Sequence, residues 1–556
     1  MKKIKLFLVL FLIGAVSSCE DAYNIVQDGE FSDDATFKTV NDMQLYLNAV
    51  YAYASNLSET KFTAIITDEL GIGKENAGQD RELAGFILNP SEGLAYSVWA
   101  NQYALINRAN RLLRGAALIT PDETVVDESG YTEVERYNSI VAQAKALRAF
   151  GHFQLLTYFS PDLKDDNALG VILMDRVPAI YEKLPRSTNG EVFALIESDL
   201  QYAADNVIDR GVNVPDANAA DYAPNDYPWT YITKNYVNAF RARMYAYRGN
   251  YPLAKQYADA AITEAAGSGV TLNSAAATPY VPADFYSVTT TNPYRKMWAD
   301  KSQGEIIFSL YRVSGNETIA STFYFNTTKF QGGPFHDMSR SLYNLLDSST
   351  GNPLATGAVG DIRAYAFIDP SSKVDQALPI ISGVTSPPPT PPYYTDNSVA
   401  FDDYKKNDVL CIDKYPGKAG YDLGNDLKVF RLSEMYFIKA EALVAEGDLA
   451  GAATILKAIR DVRNKVGAQP LPVYADATAA WADILKERRI ELCYEGHRYI
   501  DLKRLGALAN AGIDRYSRDC ETLGGCSMDV TDYRFTMPIP TWETSINTTM
   551  IQNPNY

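Results

Sequence analysis

Apolar residues recur at three- and four-residue steps through 40–57, 91–119, 131–159, 189–206 and 233–266. That spacing puts one buried stripe along an α-helix and cannot line one face of a strand. A chain patterned this way must bury helices against helices, so the expected class is mostly α. Within 234–266 the pattern breaks at Gly249-Asn250, where a glycine can end one helix and an asparagine can start the next. The run 431–466 repeats the plan about Gly447-Asp448.

Offsets from the two turn glycines agree. Ala242 and Ala440 lie seven before, Tyr245 and Leu443 four before, and Ala254 and Ala452 five after. Small residues at facing positions let two helices approach closely, as in a tetratricopeptide-like hairpin. Such arrays need about three stacked units. Two visible pairs therefore imply either degenerate partners elsewhere or a packed mixed domain. Between them, over 271–430, Gly, Pro, Asn and Thr accumulate, a strand-like piece appears at 305–313, and Pro387-Pro388-Pro389-Thr390-Pro391-Pro392 reads as a stiff exposed loop. Loops on a rigid helical base are where binding surfaces usually sit.

The first eighteen residues carry Lys2, Lys3 and Lys5, then an apolar run over 6–13, then Val16-Ser17-Ser18 before Cys19. This has the form of a lipoprotein export signal, with Cys19 as the lipidated first residue of the mature chain. A palmitate-type acyl anchor there would tether the chain to a membrane, and no later segment is long and apolar enough to cross one. Three of the 51 basic residues and none of the 68 acidic ones fall in the leader, so the remainder carries 48 against 68, a net charge of −20. Such a surface repels phosphate backbones and argues against nucleic acid. Cys520 and Cys526 flank Leu523-Gly524-Gly525 and are either a small bridge or two free thiols, whereas Cys493 reads as a buried thiol.

Several stretches resemble one family. Ile106-Asn107-Arg108-Ala109-Asn110, Ala146-Leu147-Arg148-Ala149-Phe150 and Leu184-Pro185-Arg186-Ser187-Thr188 resemble its first helical blocks. The most specific are Phe430-Arg431-Leu432-Ser433-Glu434-Met435-Tyr436 and Glu487-Arg488-Arg489-Ile490-Glu491-Leu492, the latter running into Glu495-Gly496-His497-Arg498-Tyr499. The chain is identified on these as resembling the SusD/RagB outer-membrane nutrient-binding lipoproteins of Bacteroidetes. It departs from the family pattern at Ser160-Pro161-Asp162 and at Asn555, where a glycine is common before the final tyrosine; Asn tolerates the left-handed backbone such a turn needs. The resemblance implies four divisions: a signal peptide at 1–18, a SusD-like helical region at 19–230, a tetratricopeptide-like pair at 231–270, and a C-terminal RagB/SusD region at 271–556. That last region would hold a loop-rich ligand face and the second helix pair at 431–466. Glu20 and Asp21 resemble the signal that sends such lipoproteins to the outer face of the outer membrane. The implied role is capture of an oligosaccharide, or in some relatives a peptide, for a SusC-like TonB-dependent barrel.

No enzyme motif, cofactor site or metal site is expected. There is no His-Glu-x-x-His and no Gly-x-Ser-x-Gly, and Gly71-Ile72-Gly73-Lys74 is followed by Glu75 where a P-loop needs a hydroxyl. His152, His336 and His497 read as structural or surface residues, and Asp162, Asp165 and Asp166 lack the spacing of a calcium loop. Glu487, Glu491 and Glu495 are the carboxylates a lipid-anchored hydrolase would use. Their four-residue spacing, with Arg488 in reach of Glu491 and Arg498 in reach of Asp501, reads instead as ion pairing along one helix face. A purely scaffolding role for protein partners is the third possibility. For binding, a glycan wants aromatic platforms beside carboxylate, amide or guanidinium groups. By residue type, and by the regions 68–94 and 284–335 to which the resemblance points, the candidate ligand residues are Asp80, Arg81, Tyr286, Tyr294, Trp298, Tyr311 and Tyr324.

Overall fold

The computed structural model describes residues 33–73, 76–209, 228–275, 282–287, 289–324, 334–347, 360–369, 372, 410–418, 421, 423–464, 467–520 and 525–556. Cys19, Glu20, Asp21, Lys74, Glu75 and the proline-rich stretch 387–392 lie outside them.

Eleven longer helices carry the fold: α1 Val40–Tyr53, α2 Leu57–Ile66, α3 Gly93–Ala116, α4 Glu133–Phe159, α5 Asn189–Asn206, α6 Lys234–Tyr247, α7 Tyr251–Gly267, α8 Leu432–Ala445, α9 Leu449–Arg463, α10 Ala477–Leu492 and α11 Arg498–Ala509. The mostly helical class is therefore the one observed. The helix expected over 40–57 instead stops at Tyr53. Ala54 is extended and its carbonyl accepts a 2.8 Å hydrogen bond from Arg312, after which α2 begins afresh. Thr39, Thr132 and Thr188 each form a capping box with the acidic residue three positions on, satisfying donors that the first turn cannot pair.

Both glycine turns are as the offsets suggest. Gly249 and Gly447 take φ of 71° and 85°, and Ala242, Ala254, Ala440 and Ala452 are wholly buried. The hairpin α6–α7 packs through α7 directly on α8 of the hairpin α8–α9, despite the long segment between them, with α5 against α6 on one side and α10 against α8 on the other. The two visible pairs are thus neighbouring layers of one helical stack.

Three two-stranded antiparallel ladders complete the described residues: β1 Leu70–Ile72 with β3 His336–Met338, β2 Ile306–Leu310 with β4 Leu427–Arg431, and β5 Ile513–Asp514 with β6 Ser527–Met528. The β2–β4 ladder closes the irregular middle region by returning the chain to the start of α8. The Tyr236 ring on α6 stands edge-on to Phe308 of β2 and Phe430 of β4, with centroids 4.7 and 5.3 Å away. Aromatic edges of this kind add to area burial and pin the ladder to the stack.

Candidate functional site

The β1–β3 ladder brings the loop after α2 beside the middle region. Asp80 precedes a short helix, Arg81–Ala84, with a left-handed backbone of φ 56°. Its Oδ2 lies 3.2 Å from Nε2 of His336, the residue opposite Ile72 in the ladder. Burial alone would raise the Asp80 carboxyl. The His336 hydrogen bond and the charge of Lys61 outweigh it and hold that carboxyl below the usual range. Arg81 beside it is exposed.

Just beyond β3, the Arg340 backbone N–H donates to Asp519 Oδ2 at 2.9 Å, and its guanidinium lies 5.4 Å from the Tyr343 ring and 6.0 Å from that of Tyr516. Tyr516 is 38% exposed. Its loop is closed by a Cys520–Cys526 disulfide. Arg515 secures the same loop to the helical body by donating to the carbonyls of Ile66, Thr67 and Gly525 at 2.9, 2.9 and 3.1 Å. The rim of the β1–β3 ladder thus carries the ionised Asp80 carboxylate and the exposed Arg81 on its loop side and, beyond β3, the Arg340 guanidinium beside the Tyr516 ring, groups that can pair with hydroxyls and cover a CH-rich face.

The other aromatic candidates divide. Tyr294 and Trp298, on the short helix Pro293–Trp298, are wholly buried, as is nearly all of Tyr324, so none of the three can offer a platform to a ligand. Tyr324 instead donates its hydroxyl to the carbonyl of Ile412. The Tyr294 ring faces Arg463 at 4.7 Å, and the Trp298 ring faces Lys414 at 4.6 Å and Arg431 at 5.1 Å. Their π faces serve buried cations, which the ring quadrupole attracts. Tyr286 is half-buried and donates to Tyr365 O at 3.1 Å. Tyr311 is half-buried at the end of β2, away from the rim. Sequence reasoning reads His336 only as a structural or surface histidine and does not single out Arg340 or Tyr516. Nothing local marks Arg340 or Tyr516; the β1–β3 pairing brings His336 to Asp80, and the docked disulfide loop brings Tyr516 to Arg340.

The carboxylates of the 487–504 stretch are sealed in. Glu491 accepts from Arg431 and Arg463 at 2.9 Å each and from Arg363 at 3.2 Å. Burial opposes its ionisation, but these three guanidinium groups hold its carboxyl well below the usual range. Arg463 also binds Glu305, at 2.8 Å. Glu487 pairs with Arg363 and Arg460, each at 2.7 Å. Glu495 is not on the helix face where the spacing put it. The helix ends at Leu492, Tyr494 and Gly496 take φ of 60° and 86°, and Glu495 turns to meet Arg431 and Lys414 at 2.7 Å. The expected local pairs are also replaced. Arg488 binds Asp501 at 2.7 Å and Glu441 at 3.2 Å, and Arg498 grips Asp68 through two 2.8 Å bonds. Carboxylates so enclosed are poorly placed to exchange protons with a substrate. Cys493 is buried, with its thiol pushed up to about 12, chiefly by burial. Asp162 and Asp165 accept from backbone N–H groups two residues on, at 2.9 Å each, and Asp166 pairs with Arg248.

Residues 409–556 match the model of the SusD family. The chain is 24% identical over 526 residues to the SusD-like protein P2 of Formosa agariphila, covering 91% of each, and 24% identical over 544 residues to that organism's SusD-like protein P38, covering 91% of this chain and 92% of the other. Among solved structures, a SusD superfamily protein from Bacteroides thetaiotaomicron superposes with a TM-score of 0.67 at 20% identity, over 93% of this chain and all (100%) of the other. A laminarin-binding SusD-like protein superposes with a TM-score of 0.61 at 19% identity, over 94% of this chain and 100% of its own. The family match lies on the segment holding β4, the α8–α9 hairpin, α10, α11 and most of the sealed ion network, and over that segment the chain belongs to the SusD/RagB family.

Proposed function

We propose that the chain is a glycan-capturing lipoprotein, anchored through Cys19 at the outer face of the outer membrane, that passes oligosaccharides to a TonB-dependent barrel. The observation that carries the reading is the rim at the β1–β3 ladder, where Asp80, Arg81, Arg340 and Tyr516 combine hydrogen-bonding charge with an exposed ring. Glycan binding by a relative of the same fold supports it. So does the leader, in which small residues precede Cys19 and acidic ones follow.

Retention of the protein in gels containing neutral or acidic polysaccharides tests the binding function. We expect at least one glycan to retard the chain, and Arg81→Ala or Tyr516→Ala to weaken that retardation with the fold intact by circular dichroism. Failure to bind any glycan, together with binding of peptides, would overturn the reading in favour of peptide uptake. For the anchor, Cys19→Ala should move the protein from the membrane fraction to the soluble one. Copurification of the intact chain from detergent-solubilised membranes with a TonB-dependent barrel tests the partnership.

A further inference from the structure

A cavity of about 410 Å³ opens between α1, the segment at Tyr231 and the end of β2. Its walls include Gln44, Asn48 and Tyr51 from α1, Tyr231, and Tyr311 and Asn316 beyond β2. Gln44, Asn48 and Tyr51 stand at i, i+4 and i+7, so they share one helix face beside the stripe Met43, Leu47 and Val50 that α1 buries. The volume lies within the range of small-molecule sites, about 300–1,000 Å³.

The rings are held in place before any ligand arrives. Tyr51 donates its hydroxyl to Gln143 Oε1 at 2.7 Å and accepts the Ile232 N–H at 3.0 Å. The Tyr231 ring stands nearly perpendicular to it, at 76° with centroids 6.0 Å apart. Across the cleft, the Tyr311 ring is backed by the Lys418 ammonium at 4.4 Å. That charge is already matched by Asp426 at 2.6 Å.

The amides complete the set. Gln44 Nε2 donates to Asn48 Oδ1 at 3.2 Å, which leaves the pair one carbonyl acceptor and one amide donor for another molecule. Asn316 uses its Oδ1 to accept the Val313 N–H at 2.9 Å, a bond that does not engage its NH₂ group. A pair of neighbouring hydroxyls, each both donor and acceptor, meets such groups well. Among the described residues, none that lines this cleft is charged, in a chain with 68 acidic and 51 basic residues. The two cavities nearer Asp209 differ, since one includes Glu264 and the other Asp127 and Arg136.

We propose that this cleft is a second carbohydrate subsite, separate from the β1–β3 rim and selective for a neutral saccharide unit. Aromatic faces and amides without net charge favour a ligand that is CH-rich and hydroxylated, and give no counter-ion to a uronate or a sulfate. The two sites lie toward opposite ends of α2. Ala54, just before it, receives Arg312 next to Tyr311, and β1 follows its far end. A ten-residue helix spans about 15 Å, so a long chain could bridge both sites whereas a disaccharide could not. The proposal rests on the chain being a glycan-binding protein.

The test is calorimetric titration of the intact chain with laminari-, manno- and xylo-oligosaccharides and, as acidic probes, oligogalacturonates. The variants are Tyr231→Ala, Tyr311→Ala and the helix-surface change Asn48→Ala, each checked by circular dichroism. A neutral oligosaccharide should bind, and each cleft variant should weaken it by about ten-fold, equivalent to about 1.4 kcal/mol. With Arg81→Ala, disaccharide binding in the cleft should persist. If neutral glycans bind but all three cleft variants, Asn48→Ala included, bind them like the parent, the subsite is overturned while the function stands. If acidic chains are the ones the cleft variants lose, its neutral selectivity is overturned. If no saccharide binds at all, both the subsite and the glycan-binding function fall.

Discussion

Glu59 on α2 is almost wholly buried, and its Oε1 accepts from Gln102 Nε2 at 2.6 Å. Burial, with no cation to offset it, pushes its carboxyl up to about 8 from an ordinary 4.5. The folded state therefore keeps a proton that the unfolded chain releases near pH 4.5. From there to about pH 8 the native state binds more protons, so this group makes stability fall as pH rises. Glu59→Gln removes that titration and can still accept from Gln102. Its stability relative to the parent should be more favourable at pH 8 than at pH 5, measured by urea denaturation at both. A difference independent of pH would refute the assignment. Glu69, also pushed up to about 8, chiefly by burial, is present in both proteins and cancels. Residues of this kind set a limit on legibility. A carboxylate spaced four from its neighbour looks like half of a helix ladder, yet the partners of Glu491 come from Arg363, Arg431 and Arg463 on other elements. Likewise Tyr294 and Trp298 were legible as aromatic, but not as the π faces of buried cations.

At the scale of elements, much more was readable, because caps and turn glycines act locally. Thr188 accepts the Glu191 N–H at 3.3 Å while the Glu191 carboxylate accepts the Thr188 N–H at 2.9 Å. The stretch Leu184-Pro185-Arg186-Ser187-Thr188 therefore both starts α5 and, through Arg186, ties down the end of the chain. Arg186 donates to Phe159 O, Leu169 O and Ile551 O at 3.1 Å each and to Asn553 Oδ1 at 2.9 Å. Asn555 takes the left-handed φ of 72° anticipated for it. Thr188→Ala removes only the side-chain half of the cap, and should cost about 1 kcal/mol, in the usual range of about 0.5–2. Thermal denaturation would read this as a modest loss without change of ligand binding; Thr188→Ser should recover most of it. The break between α1 and α2 was not legible. The carbonyl at the break, that of Ala54, is paired by Arg312, more than 250 positions away, a partner that no local pattern reveals.

For the whole molecule, the question is whether the helix pair at 231–270, a division of its own by the family resemblance, is separable from the second pair. Its second helix, α7, has neighbours on both sides. Ala254, Ala258, Ala261 and Ala265 are all buried along it, and α8 packs along it as a second helix neighbour beside its own hairpin partner α6. The α7–α8 contact is also bridged by Lys439 with Asp259 at 2.6 Å and Lys255 with Glu446 at 2.5 Å, while Tyr251 lies 5.7 Å from the Trp481 ring on α10. Those ion pairs are partly exposed and contribute little; the close helix contact dominates, because small residues there allow dispersion and area burial that water cannot replace. A fragment of residues 33–270 would leave this face of α7 wet and remove Glu434 on α8, the buried partner of Arg243 at 2.7 Å. The apolar area exposed there, at about 25 cal/mol per Å², counts against the stability of a typical domain of about 5–15 kcal/mol. We therefore expect the fragment to lack a cooperative melt and to bind a hydrophobic dye, while the full chain unfolds with its helical and tryptophan signals coincident. A sharp, reversible melt of the fragment would instead mean that the stack divides at Gly267, and that the second hairpin folds onto a body already complete.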